Sequence, residues 1–232
     1  MQRRKQINFN YQRVIHRIQA SAASNHRDPR DIALLAVSKQ QPIDKIEAVY
    51  ELGQRDFGEN YVQELIEKHA QLKHLDINWH FIGTFQSNKA ADIAIRCHWL
   101  HSLTTQKGAN KLNQHRPDDL TPLNCCIQVN LVDDPNKSGL LGDEALHELA
   151  VHVVKQPKLR LRGLMTIPSP EIITPADAFA MLAEKLQWLQ IQLPDQPLDT
   201  LSMGMSGDLE IAIAHGSSMV RVGSALFGAR DM

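Results

Sequence analysis

The sequence predicts an α/β protein: a single (β/α)8 barrel of the TIM type, preceded by an N-terminal helix and spanning residues 1–232. Three observations predict it. Apolar runs rich in β-branched residues alternate with stretches of helical period along the chain, the pattern of a parallel sheet. Eight such units fit in the 232 residues, a length at which eight parallel strands close into a barrel. Unusual polar residues gather just after the strands, where barrels carry their chemistry. An open doubly wound sheet is the rival, but its Gly-rich first turn, GxGxxG, is absent.

The elements follow in order. Ile7, Tyr11, Val14, Ile15 and Ile18 form one stripe of a first helix. Met1 to Arg27 contains no acidic residue and carries Arg3, Arg4, Arg13 and Arg17, a composition shared with transit peptides. The amphipathic helix is the reading adopted, because it leads directly into Asp28-Pro29 and the first strand. Strands are expected at Ile32–Ser38, Arg55–Gly58, Trp79–Gly83, Trp99–Leu103, Asn124–Leu131, Arg160–Ile167, Thr200–Met205 and Met219–Phe227. Helices are expected between them at Ile43–Leu52, Tyr61–Leu72, Lys89–Arg96, Thr105–His115, Asp143–Lys155, Pro175–Ile191 and Leu209–His215. Asp208 is the expected N-cap of the last of these.

With 43% hydrophobic and 22% charged residues, the chain can bury a core. A formal net charge of −1 argues against a nucleic-acid surface, which needs a basic stripe. No apolar stretch reaches the roughly 20 residues needed to span a bilayer. Cys97, Cys125 and Cys126 show no CxxC spacing, and adjacent strand residues face opposite ways, so Cys125 and Cys126 are not expected to pair. The reducing cytoplasm is the expected compartment. His80 and His101 have no partners at metal-ligand spacing and read as structural, so no metal is expected. Met203 and Met205 read as barrel filling.

The chemistry starts at Lys39, which follows the apolar run LLAVS and precedes the turn Gln-Gln-Pro. A lysine at a strand tip is seldom buried without a partner. The other strand ends carry Glu59-Asn60, Thr84 to Asn88, Asn130, Ser206 and Gly223-Ser224, with Arg221 inside the eighth strand. Barrels commonly seat a phosphate on the loops after strands seven and eight. Ser206-Gly207 and Gly223-Ser224 offer hydroxyls and approachable backbone N–H groups there. Arg221 alternates with Val220 and Val222, so it points into the barrel if the valines face the helices. A lysine made neutral by desolvation or a nearby cation can attack an aldehyde to give a Schiff base. These residues therefore imply a carbonyl ligand bearing a phosphate. Pyridoxal phosphate and an aldolase substrate both satisfy that description.

The segments AVSKQQP, FGENYVQE, WHFIGTFQSNK, NKSG, LRGLMTIP, SMGMSGD and SSMVRVGSALFGAR, in this order and spacing, resemble the YggS/PROSC family of pyridoxal phosphate homeostasis proteins. That family is related to the N-terminal domain of alanine racemases. The resemblance implies pyridoxal 5'-phosphate bound through a Schiff base to Lys39. It places Asn60 near the ring, Arg221 at the pyridine nitrogen, and Ser206, Gly223 and Ser224 at the phosphate. IGTFQ stands where the family has IGPLQ, and Ser224 where it most often has threonine. It also implies a carrier without racemase activity and with no catalytic residue. Alanine racemases draw a second base, a tyrosine, from a C-terminal β domain, whereas Tyr11, Tyr50 and Tyr61 all lie in the first third of this chain. The expected partners are the cofactor and candidate apo enzymes that use it, and a monomer is the expected state. A racemase or isomerase acting on amino acids is the alternative. Lys137, in the loop Asp133–Gly139, is a candidate helper in cofactor release.

Overall fold

A computed structural model describes residues 2–228. Helix α1 (Gln2–Ser24) comes first, and β1 (Ala33–Val37) follows a short 3-10 turn. The chain then runs α2 (Ile43–Glu51), β2 (Asp56–Glu59), α3 (Val62–Gln71), β3 (Asn78–Phe81) and α4 (Ala90–Arg96). Next come β4 (Trp99–Leu103), α5 (Gln106–His115), β5 (Leu123–Gln128), α6 (Asp143–Val154), β6 (Leu159–Met165) and α7 (Pro175–Gln192). The last units are β7 (Thr200–Ser202), α8 (Leu209–Ala214), β8 (Met219–Val222) and α9 (Ser224–Phe227). All eight strands are parallel and close in sequence order, with β8 paired to β1.

Two cores result from the alternation of strand side chains. Outward residues such as Ala36, Phe57, Leu100, Cys125, Leu164, Val220 and Val222 join the helices in one continuous apolar cluster. Inside the barrel, Leu35, Cys126, Met165 and Met219 are buried outside that cluster. They share the interior with His80, His101, Ser202 and Arg221, all at most 5% exposed. The adjacent thiols thus lie on opposite sides of the sheet, and all three cysteines are free.

The N-terminal stripe is buried as the sequence predicts, with Ile7, Val14 and Ile18 inside and Tyr11 and Ile15 packed against the core. The basic residues of α1 tie it to the barrel's outer layer: Arg3 pairs with Asp44, Arg4 with Glu51 and Arg17 with Glu210.

Several expected strands run past their observed ends: β1, β3 and β6 by one or two residues, β5 by three, and β7 and β8 with most consequence for the site. β7 stops at Ser202, and β8 stops at Val222, where the chain turns at Gly223 into α9. A short apolar run such as Ala-Leu-Phe reads equally well as strand or helix. Here Leu226 and Phe227 are buried as α9 packs beneath α1, where Asn10 donates to the Leu226 carbonyl at 3.1 Å. Met203 lies in the outer cluster rather than inside the barrel, and Met205 is 39% exposed, so neither fills the interior.

Candidate functional site

A cavity of about 800 Å³ opens at the C-terminal ends of the strands. Lys39, Asn60, Ser206, Arg221, Gly223 and Ser224 all line it, brought together from β1, β2, β7 and β8. Val37, Ile82, Ile167 and Met205 supply its apolar wall. Of these four, only Met205 drew notice in the sequence, and then for another role.

The segment carrying Lys39 is clamped on both sides. Ser38 is buried; its N–H donates to the Gly58 carbonyl at 2.9 Å and its hydroxyl to Glu59 Oε1 at 2.6 Å. Lys68 Nζ, reaching in from α3, donates to the Ser38 carbonyl (2.7 Å), Glu59 Oε1 (2.8 Å) and Glu64 Oε2 (2.9 Å). Glu64 in turn accepts from the Gln40 N–H at 2.8 Å. Gln40 stands at φ +57°, a left-handed conformation uncommon for a side-chain-bearing residue. One buried charge cluster therefore fixes the residues before and after Lys39. Burial pushes the Glu59 carboxyl up to about 7, against the pull of Lys68 and Ser38. Glu59 thus stands beneath the mouth, not in the cavity wall.

Asn60 follows it, and its buried Oδ1 has no hydrogen-bond partner among the described residues. The backbone there is met by Gly83 after β3, where a Cβ would lie 1.9 Å from the Asn60 carbonyl oxygen. Only glycine permits that approach. On the opposite rim, Ser224 Oγ lies 3.3 Å from Ser206 Oγ, which also accepts from the Ala225 N–H at 3.3 Å. Helix α1 holds this rim, because Arg17 donates to the Ser206 carbonyl at 3.0 Å while gripping Glu210 through two bonds. Asp208 occupies the N-cap position of α8 without capping it; its carboxylate accepts from the Met205 N–H at 2.5 Å instead. That bond tightens the loop and leaves the Ser206 hydroxyl in the cavity wall.

Arg221 is buried and points inward, as its alternation with the valines predicts. Its acceptors are neutral: the Ser202 carbonyl (2.5 Å), Ser202 Oγ (2.9 Å) and the Thr166 carbonyl (2.8 Å). These bonds use three of the five guanidinium donors. Burial draws its pKa down to about 10, so it remains a cation at neutral pH.

Other mouth residues do not join the cavity. β5 ends at Gln128, and Asn130 staples the next loop by exchanging bonds with Asp134. Thr84 to Asn88 contribute no lining residue, and neither does Lys137. Among the described residues lining the cavity there is no histidine, cysteine, tyrosine or carboxylate. No cluster of metal-binding side chains occurs among the described residues.

A family model described as alanine racemase, N-terminal domain, matches residues 10–231. A pyridoxal phosphate homeostasis protein of Pseudomonas aeruginosa is 49% identical over 224 residues, covering 96% of this chain and 95% of that one. The structure of PipY from Synechococcus elongatus with pyridoxal phosphate bound superposes at a TM-score of 0.79. It is 36% identical and covers 91% of this chain and 100% of its own. An alanine racemase from Clostridium difficile shares the fold at a TM-score of 0.73 but is only 12% identical, and just 57% of it is matched. From the matched model and these near-full-length likenesses, the chain belongs to the alanine racemase N-terminal domain family, within its group of pyridoxal phosphate homeostasis proteins.

Proposed function

We propose that this protein binds pyridoxal 5'-phosphate and serves its intracellular homeostasis, holding the cofactor on Lys39 for storage or delivery without turning over an amino acid. One observation carries the reading. A single cavity joins a lysine, two serine hydroxyls and a buried arginine, and its described wall contains no second acid or base. Pyridoxal phosphate supplies an aldehyde, which condenses reversibly with a lysine amine and releases one water.

The residues fit that ligand. The Ser206 and Ser224 hydroxyls stand together on one rim with side-chain-free Gly207 and Gly223, a donor set suited to a phosphate. Asn60 Oδ1, buried without a partner among the described residues, can accept a hydrogen bond from the ligand. Arg221 is a permanent donor for an unprotonated ring nitrogen, and such a contact opposes the protonated ring on which amino-acid chemistry depends. Racemisation also needs a base on each face of the substrate, and the described wall offers only Lys39. No helix among the described residues is long and apolar enough to cross a membrane, and the free, buried thiols suit the reducing cytoplasm.

Borohydride reduction of the loaded protein followed by peptide mapping tests the assignment. Pyridoxyl should appear on Lys39, and Lys39→Ala should lose the visible absorbance. Label on a different lysine, with Lys39 bare, would overturn the site. Turnover of D- or L-alanine by the loaded protein would overturn the carrier role.

A further inference from the structure

A line of polar side chains crosses the inside of the barrel from its N-terminal end to Arg221. Asp56, the first residue of β2, has a carboxylate 31% exposed at the end opposite the cavity. Its Oδ1 lies 3.1 Å from His80 Nε2. His80 Nδ1 lies 2.9 Å from His101 Nε2, and His101 Nδ1 lies 2.8 Å from Ser202 Oγ, the atom that accepts from Arg221 at 2.9 Å. Both rings are fully buried. Among the described residues no set of ligands stands with them to hold a metal, and an apolar pair would fill the same space without desolvating two imidazoles.

We propose that Asp56, His80, His101 and Ser202 form a one-way hydrogen-bond chain that positions Arg221, fixing how its guanidinium meets the ligand's ring. The proposal rests on the pyridoxal phosphate reading for the identity of that ring.

The direction follows from valence. An ionised carboxylate only accepts, so His80 must donate from Nε2. A neutral imidazole then accepts at Nδ1, so His101 donates from its own Nε2 and accepts at Nδ1. The Ser202 hydroxyl must therefore give its proton to His101, which turns its oxygen lone pairs toward Arg221. The arginine end fits the same sense, because guanidinium has no acceptor and the Ser202 oxygen keeps lone pairs for it. The carboxylate terminus thus dictates the state of every member between it and Arg221.

The surroundings keep the rings neutral. Burial lowers the pKa of His80, and Asp56 opposes this only in part; burial lowers that of His101 much further, helped by His80 and Arg221. Burial pushes the Asp56 carboxyl up, but the bonds from His80 and Asn78 and the nearby His98 outweigh it and keep it ionised. Among the described residues, Asp56, His98 and Arg221 are the groups whose charge acts on the pair. Trp99 lies parallel to His80, with centroids 5.6 Å apart and planes 5° from parallel, and packs against its ring.

Nitrogen NMR of histidine-labelled protein tests the chain before any ligand is added. His80 and His101 should both be Nε2–H tautomers, neutral from about pH 6 to about pH 8. Asp56→Asn exchanges an acceptor for a group that can also donate, so His101 should lose its single tautomer. Ser202→Ala removes the last link, and the visible band of the bound pyridoxal phosphate should shift. An Nδ1–H tautomer on either ring of the native protein would overturn the chain. So would an unaltered His101 in Asp56→Asn, or an unaltered band in Ser202→Ala. If the native protein shows no visible band with pyridoxal phosphate, the cofactor reading fails while the tautomers still report on the chain.

Discussion

Glu59 shows how much of the site depends on single residues away from the ligand. Its carboxyl, raised to about 7 by burial, keeps a proton in the native state that an unfolded glutamate has already released above its ordinary 4.5. The native state therefore binds more protons across that interval, and the stability so gained is present in full below about 4.5. It is lost as the pH rises through about 7. Glu59→Gln should remove this slope. In urea titrations, the native protein should lose up to about 3 kcal/mol more than the variant between about pH 5 and about pH 8. Parallel pH profiles for the two proteins would show that Glu59 is ionised throughout. Lys39, Ser206 and Arg221 were legible in the sequence because each is out of character for its place at a strand end. The Glu59–Lys68 pair and the histidine chain were not, because they depend on register between distant strands. His101 and Ser202, for example, stand 101 positions apart. His80 and His101 read as structural from the sequence, and only their joint alignment with Arg221 ties them to the site.

At the scale of elements, α1 is part of the site without touching its cavity. Arg17 holds the Ser206 carbonyl and Asn10 the Leu226 carbonyl, so one helix props both the loop after β7 and the turn of α9. The sequence showed the apolar stripe of this helix but not this service, because arginines on a polar face read simply as solvated. Arg17→Ala should loosen Ser206 and weaken pyridoxal phosphate binding about fivefold to tenfold, the net worth of about one hydrogen bond. Arg17→Lys should recover only part of the loss, since lysine cannot reproduce the two-pronged grip on Glu210. Binding titrations with an unchanged Kd for Arg17→Ala would show that the rim stands without α1. Element type proved more legible than element length. β4 matches its expected bounds, whereas β7 and β8 were overrun, because Met203 beyond β7 and Leu226 and Phe227 beyond β8 are buried in loop and helix as deeply as they would be in a strand.

Taken whole, the barrel sets its site on the seam where it closes. Lys39 follows β1, Ser206 follows β7, and Arg221, Gly223 and Ser224 belong to β8 and the turn after it. The pairing beside the seam is lightly built: β7 has three residues, and its ladder with β8 registers Ser202 against Met219. A ligand attached to Lys39 and seated between Ser206 and Ser224 would bridge the first strand and the last two, tying the ends of the fold together. Binding to the native state alone stabilises it by about 2.7 kcal/mol at a hundredfold excess over Kd. For a domain of this size that corresponds to roughly 5–10 °C in Tm. Thermal stability alone does not locate the effect, because any native-state ligand raises it. Hydrogen exchange does. Amides of β1, β7, β8 and α1 should slow markedly when pyridoxal phosphate is added, while those of β4 and β5, across the barrel, change little. Lys39→Ala, which keeps the phosphate seat but loses the covalent anchor, should retain protection near Ser206 and Ser224 and lose it along β1. Protection spread evenly around all eight strands would mean that the ligand stabilises the barrel globally, without acting as a clasp at its seam.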